Sequence, residues 1–173
     1  MAQTPQRPAV AFTIRLAGAN DVSAIEWLDS FGTSPHRNIS RHVNKYFGSV
    51  DPSIHERNVI FLAEVAVDDS IAQPFPAIGK AELLLAPIEE ASGVGYIRRV
   101  VVLPQWRGAG VARRLLTHIR DTAPSYDVRH LDLHVWDGNT SAVRLYESLG
   151  FVEQHRELYL RLNVAETDDT LDD

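Results

Sequence analysis

The stretch that most restricts what this chain can become is residues 101–116, VVLPQWRGAGVARRLL. A β-branched run ends at Pro104, two glycines follow among arginines, and an apolar pattern at helical spacing begins. Pro104 removes a backbone donor, so the strand has to leave its sheet there. Gly108 and Gly110 then mark the turn into a helix. A helix start presents several unpaired N–H groups and a partial positive charge, and it binds anions when nothing bulky blocks approach. Arg107 and Arg113 or Arg114 add charge around it. Two common phosphate loops are absent: Arg113 stands where G-x-G-x-x-G needs its third glycine, and there is no Gly-Lys-Ser/Thr.

The rest of the chain sets the frame for that turn. With 173 residues, 45% of them hydrophobic, it is sized for one well-buried core. We expect one domain over residues 9–163, between a disordered N-terminal segment (1–8) and a disordered acidic tail (164–173). Glu166, Asp168, Asp169, Asp172 and Asp173 of that tail carry most of the net charge of -6. Residues 91–120, by contrast, hold six arginines and no carboxylate. The absence of cysteine excludes disulfides, thiolate metal sites and a cysteine nucleophile. No run of about 18 apolar residues suggests a membrane span, and the start lacks a signal-like stretch, so the expectation is a cytoplasmic protein without a membrane partner. With aromatics at 8% there is no stacking platform to suit nucleic acid.

Hydrophobic patterning predicts alternating elements. AVAFTIRLA reads as a strand, and NDVSAIEWLDSF as a helix in which Ser23 and Glu26 can form a capping box. HRNISRHVNKYFGSV suggests a second helix; NVIFLAEVAV and PAIGKAELLLAP an antiparallel pair; GYIRRVVVL a fourth strand; and Gly108 to about Ala123 a long helix. RHLDLHVW alternates as a fifth strand, NTSAVRLYESLGF is a helix started by Asn139 or Thr140 and stopped by Gly150, and FVEQHRELYLRL closes as a strand or hairpin.

VVLPQWRGAGVARRLL resembles the acyl-CoA-binding motif of the GCN5-related N-acetyltransferase (GNAT) superfamily, an Arg/Gln-x-x-Gly-x-Gly/Ala pattern after a strand ending in Val-x-Pro. It reads here as Arg107, Gly110 and Ala112 after Val102 and Pro104. Downstream, VWDGNTSAVRLYESLGF resembles the second family motif through Asn139, Ala142, Tyr146, Gly150 and Phe151. The motifs cover residues 96–151; the first 90 residues agree only in element order. The resemblance implies a mixed α/β fold with a mostly antiparallel sheet of six to seven strands and about four helices on its two faces. It further implies acetyl transfer from acetyl-CoA, the cosubstrate, to a primary amine by direct attack. The alternative is a non-catalytic acyl-CoA sensor or docking module on the same fold.

The same resemblance implies a cofactor site made of Val100, Val102, Leu103, Arg107, Gly108, Ala109, Gly110, Val111, Ala112, Arg113, Asn139, Ala142 and Tyr146. A backbone N–H near Val102 or Leu103 would polarise the thioester carbonyl, and Tyr146 would protonate the leaving thiolate. The base is open: Glu82, Glu89, Glu90, Asp132 and His134 are candidates, with Glu82 and His134 carried forward. Arg98 and Arg99 stand where relatives often place a carboxylate. A pleated strand turns them to opposite faces, so one faces the acceptor, where it would clamp a carboxylate or phosphate; otherwise both snorkel to the sheet margin or pair with Glu82 or Glu64. His130, Asp132 and His134 share a strand face, but the two histidines lie roughly 13 Å apart at strand rise, so no metal is assigned. The hairpin and the last strand offer a surface for a homodimer.

Overall fold

The computed structural model describes residues 11–32, 57–66, 73–85 and 93–156. The expected second helix, the terminal segments and most of the final strand lie outside these residues. Strand β1 (Phe12–Leu16) leads through a tight turn at Ala19–Asp21 into helix α1 (Val22–Asp29). Strands β2 (Arg57–Val65), β3 (Ala77–Leu85) and β4 (Val94–Val102) follow. Helix α2 (Val111–Thr122), strand β5 (His130–Leu133) and helix α3 (Thr140–Ser148) complete the described elements. No helix among the described residues is long and apolar enough to cross a membrane.

The strands form one sheet in the order β1-β2-β3-β4-β5. β1 to β4 pair antiparallel and β5 joins β4 in parallel. The mixed sheet agrees with the family expectation; its described part has five strands and three α-helices rather than six to seven and four. Residues 151–156, expected to begin a last strand, have no regular structure.

Two apolar layers sandwich the sheet. Val111, Leu115, Leu116 and Ile119 recur at helical spacing, so one stripe of α2 packs on Phe61, Ala81, Leu83 and Ile97. On the opposite face Ala24, Ile25 and Leu28 of α1 pack against Ile60, Leu62 and Leu103. With helices on both faces, β3 has almost no exposed position. That is why a strand carrying Lys80 and Glu82 still runs through the centre of the sheet.

Helix α1 differs from expectation at its start. It begins at Val22, ahead of Ser23, so the Ser23–Glu26 capping box does not form. The Asp21 carboxylate instead accepts the Gly18 N–H at 2.8 Å and receives two guanidinium nitrogens of Arg15, each at 2.8 Å. Arg15 also donates to Glu64 on β2, so a single side chain binds the entry of α1 to two strands.

Candidate active site

Strand β5 ends while β4 continues, and the site lies beside the length of β4 that β5 does not accompany. Their parallel pairing runs from Val94↔His130 to Ile97↔Leu133. β4 continues to Val102, so its last five residues have no strand partner on that side among the described residues. Val100 and Val102 there are half-buried against the α2 core. Leu103 is fully buried in the α1 layer, and its N–H is donated to the Ile78 carbonyl at 3.0 Å. Of the two amides expected near the thioester carbonyl, this one is already engaged within the protein.

The chain then makes a 3-10 turn over Pro104–Trp106 and passes through Gly108 (φ 78°) and Gly110 (φ 80°), the N-cap of α2. A Cβ on either glycine would meet no atom within 4 Å, so the left-handed backbone requires glycine while crowding does not. The first-turn amides at Val111, Ala112 and Arg113 lack an i−4 partner and carry the positive end of the helix dipole. Arg107 is exposed beside them, its Nε donating to the Val102 carbonyl at 3.1 Å. Arg113 reaches Ser148 on α3 at 2.7 Å. Arg114 turns back to β1, lying 4.2 Å over the Phe12 ring and donating to the Phe12 carbonyl. Arg107 and Arg113 thus stand beside the start of α2, whereas Arg114 is turned away to β1.

Helix α3 contributes the second expected group. The Asn139 side chain caps it by accepting the Ala142 N–H at 3.3 Å. Tyr146 is half-buried, edge-on to Phe151 with ring centroids 5.9 Å apart. Burial pushes its phenol above the usual value, so it stays protonated and able to donate at neutral pH. Its hydroxyl has no hydrogen-bond partner among the described residues.

Polar groups converge on the α1 face of the sheet, and here the structure adds what the sequence did not disclose. β3 and β4 change register between Lys80 and Glu82: Glu82 pairs with Arg98, but Lys80 pairs with Val101. Two residues of β4, Arg99 and Val100, thus face one of β3, and Arg99 takes the left-handed conformation, φ 48°. The bulge overturns the expected alternation. Instead of pointing to opposite faces, Arg98 and Arg99 both turn to Glu82, at 3.1 and 3.6 Å. Both arginines thus pair with Glu82, Arg98 through its Nε alone.

Glu82 itself is fully buried. Its oxygens receive the Lys80 ammonium at 2.5 Å, the Arg98 Nε at 3.1 Å and the Asn58 side-chain amide at 3.2 Å. Lys80, also fully buried, lies 2.7 Å from Asp29 at the end of α1, and Arg99 lies 3.8 Å from the other Asp29 oxygen. The second base candidate, His134, is exposed just past β5 and shares a 2.5 Å hydrogen bond through Nδ1 with the Tyr96 hydroxyl. The His155 ring stands 6.1 Å away from it. Tyr96, Lys80, Asp29 and Asn58 were not foreseen; Tyr96 had one available signal, its i,i+2 spacing from Arg98 on a strand that alternates up to the bulge.

Comparison with known proteins agrees with this geometry. Residues 77–151 match the model of the acetyltransferase (GNAT) family, from β3 through the end of α3. The mycothiol acetyltransferase of Nocardiopsis dassonvillei is 40% identical over 70 residues, 38% of this chain and 20% of that protein. The glucosamine 6-phosphate N-acetyltransferase of Trypanosoma brucei brucei is 32% identical over 87 residues, 49% of this chain and 57% of that protein. The chain thus spans between a fifth and three fifths of the length of these two relatives. Among solved structures, AAC(6')-Iy in complex with the bisubstrate analogue CoA-S-monomethyl-acetylneamine superposes with a TM-score of 0.65 at 19% identity, covering 88% of this chain and 99% of that one. That likeness is one of fold. Residues 77–151, which carry both the glycine turn and the Tyr146 helix, are thus similar to the acetyltransferase (GNAT) family.

Proposed function

We propose that the chain is an N-acetyltransferase that moves an acetyl group from acetyl-CoA to a primary amine by direct attack in a ternary complex. The observation that carries this reading is the left-handed glycine turn that opens α2 directly after the length of β4 that β5 does not accompany. Such a turn presents backbone amides and a helix dipole to a pyrophosphate, with Arg107 and Arg113 beside it. Val100 and Val102 border the pantetheine path, and Asn139 and Ala142 flank it from α3. Two of the relatives are acetyltransferases, and a solved structure of the same fold holds a CoA bisubstrate analogue.

This chain's own residues then manage two protons. As the amine nitrogen bonds to the acetyl carbon, the carbon–sulfur bond breaks, and Tyr146 donates its phenolic proton to the departing sulfur. The amine has to shed protons as well. Tyr96, on the same strand face as Arg98, takes one proton from the amine while giving its own to Nδ1 of His134, whose exposed ring releases a proton to solvent, and the second amine proton restores the Tyr146 phenol. Glu82 supports the site in a different way, its two oxygens fixing Lys80, Arg98 and Arg99.

The test is thiol release from acetyl-CoA with a panel of primary amines, followed by mass detection of the amide. Acetylated amine is expected, with kcat/KM falling by about 10² in Tyr96→Phe and His134→Ala. Tight acetyl-CoA binding with no turnover for any amine would overturn the reading in favour of a sensor or docking module.

A further inference from the structure

The guanidinium of Arg98 is anchored by one nitrogen and open at the other two. Its Nε is spent on the buried Glu82 at 3.1 Å, and no partner for its Nη groups occurs among the described residues. Its side chain is 28% exposed, more than Arg99, Asp29, Lys80 or Glu82 of the same cluster. Among the described residues Lys80, Arg98 and Arg99 meet Asp29 and Glu82 in this cluster, and Arg98 is the member that reaches solvent most.

We propose that Arg98 is the specificity residue for the acceptor, its free Nη edge binding the carboxylate or phosphate of a small amine that carries both groups. The inference rests on the acetyltransferase reading and names its substrate class. Three features support it. Pairing of Nε with a buried carboxylate fixes the guanidinium plane before any ligand arrives, so little rotamer entropy is lost on binding. Two parallel N–H groups match the geometry of a carboxylate or phosphate edge. Tyr96, the entry of the base pair, lies two residues earlier on the same strand face, about 7 Å away at strand rise. An acceptor that holds its anion on Arg98 therefore presents an amine to Tyr96 when the two groups are separated by a few bonds. A polycation meets the Arg98 guanidinium instead and is disfavoured.

Matched pairs separate the charge from the scaffold: L-alanine against L-alaninamide, and glucosamine 6-phosphate against glucosamine. Both kcat/KM and the dissociation constant would be measured, the latter by calorimetry with CoA saturating so that the pyrophosphate cradle is filled. The anionic member of at least one pair is expected to win by tenfold or more in both measures, the winning pair distinguishing carboxylate from phosphate. Arg98→Gln should bring that ratio close to one, whereas Arg98→Lys, which keeps the charge but loses the planar fork, should retain part of it. Thermal melts of both variants report whether the cluster still holds. Turnover of neutral amines with no anionic preference would overturn the inference and leave the acetyltransferase reading intact. Anion binding sensitive to Arg98 but without turnover would support the anion site while sinking the reading of an enzyme. If spermidine is the best acceptor, or if Arg98→Gln leaves the ratio unchanged in a folded protein, Arg98 does not select the acceptor.

Discussion

The Lys80 ammonium and the Asp29 carboxylate lie 2.7 Å apart, joining the last residue of α1 to the middle of β3. The same ammonium holds Glu82, so α1 is fastened to the sheet by charge as well as by Ile25 and Leu28. Removing one partner from such a cluster leaves its buried neighbours with fewer counter-charges, a loss that approaches the ~3–5 kcal/mol of a buried pair broken outright. Lys80→Met and Glu82→Gln should each lose about 3 kcal/mol in denaturant unfolding on that account. The double variant should lose less than the sum by about 1 kcal/mol or more, as coupled neighbours do. Strict additivity would show that the two side chains do not stabilise each other.

The glycine turn makes a second, separable prediction. Valine at position 110 has space for its Cβ but not the backbone freedom for φ 80°, so the entry into α2 must rearrange. Gly110→Val should weaken acetyl-CoA binding by well over tenfold, on the order of 2 kcal/mol for misdirected charge-assisted hydrogen bonds. Titration calorimetry on the folded variant measures it. Unchanged affinity would take the anion-binding role away from this turn.

Tyr146→Phe removes a hydroxyl and keeps the ring that packs on Phe151. If the phenol supplies the proton to sulfur, kcat falls by about 10² while acetyl-CoA affinity is retained. Normal turnover would make Tyr146 an ordinary core aromatic.

Acid should loosen the start of α1. Hydrogen bonds from Arg15 hold the Asp21 carboxyl below its usual range, against the opposing effect of burial and with help from the Gly18 N–H. Because its folded-state value is depressed, the stabilisation is complete above the ordinary carboxylate range and is lost as pH falls through the folded value. Arg15 is 42% exposed, so solvent screening limits the pair to about 1 kcal/mol. Asp21→Asn should therefore cost about 1 kcal/mol at pH 7, and its stability curve should meet that of the parent protein at the acid end. A constant offset between the two curves down to pH 2 would contradict this account.

The parts of the site visible in the sequence are those whose cause is local. Gly108 and Gly110 were readable because few residues adopt positive φ, and Asn139 because a cap is decided within four residues. Gly150, at φ 94°, ends the last described helix for the same reason. The Arg98–Arg99 arrangement was not readable, since period-two alternation fails at a bulge that is set by the register of two distant strands. Nor did KAELLL reveal that Lys80 and Glu82 are buried: that depends on α1 covering their face of β3. The missing Ser23 cap has a tertiary cause too, because Arg15 draws Asp21 into the turn that starts the helix early.

Among the described residues the sheet, finally, is left incomplete along one side of β4. Between Val94 and Ile97 the strand has neighbours on both sides; from residue 98 onward β5 no longer accompanies it. Backbone groups at an uncompleted edge take partners from whatever lies alongside, so a bound pantetheine arm would stand in for the absent length of strand. Occupancy and local order then become one quantity. Amide hydrogen exchange at residues 98–102 should slow as acetyl-CoA concentration rises, and the melting temperature should climb with it by mass action.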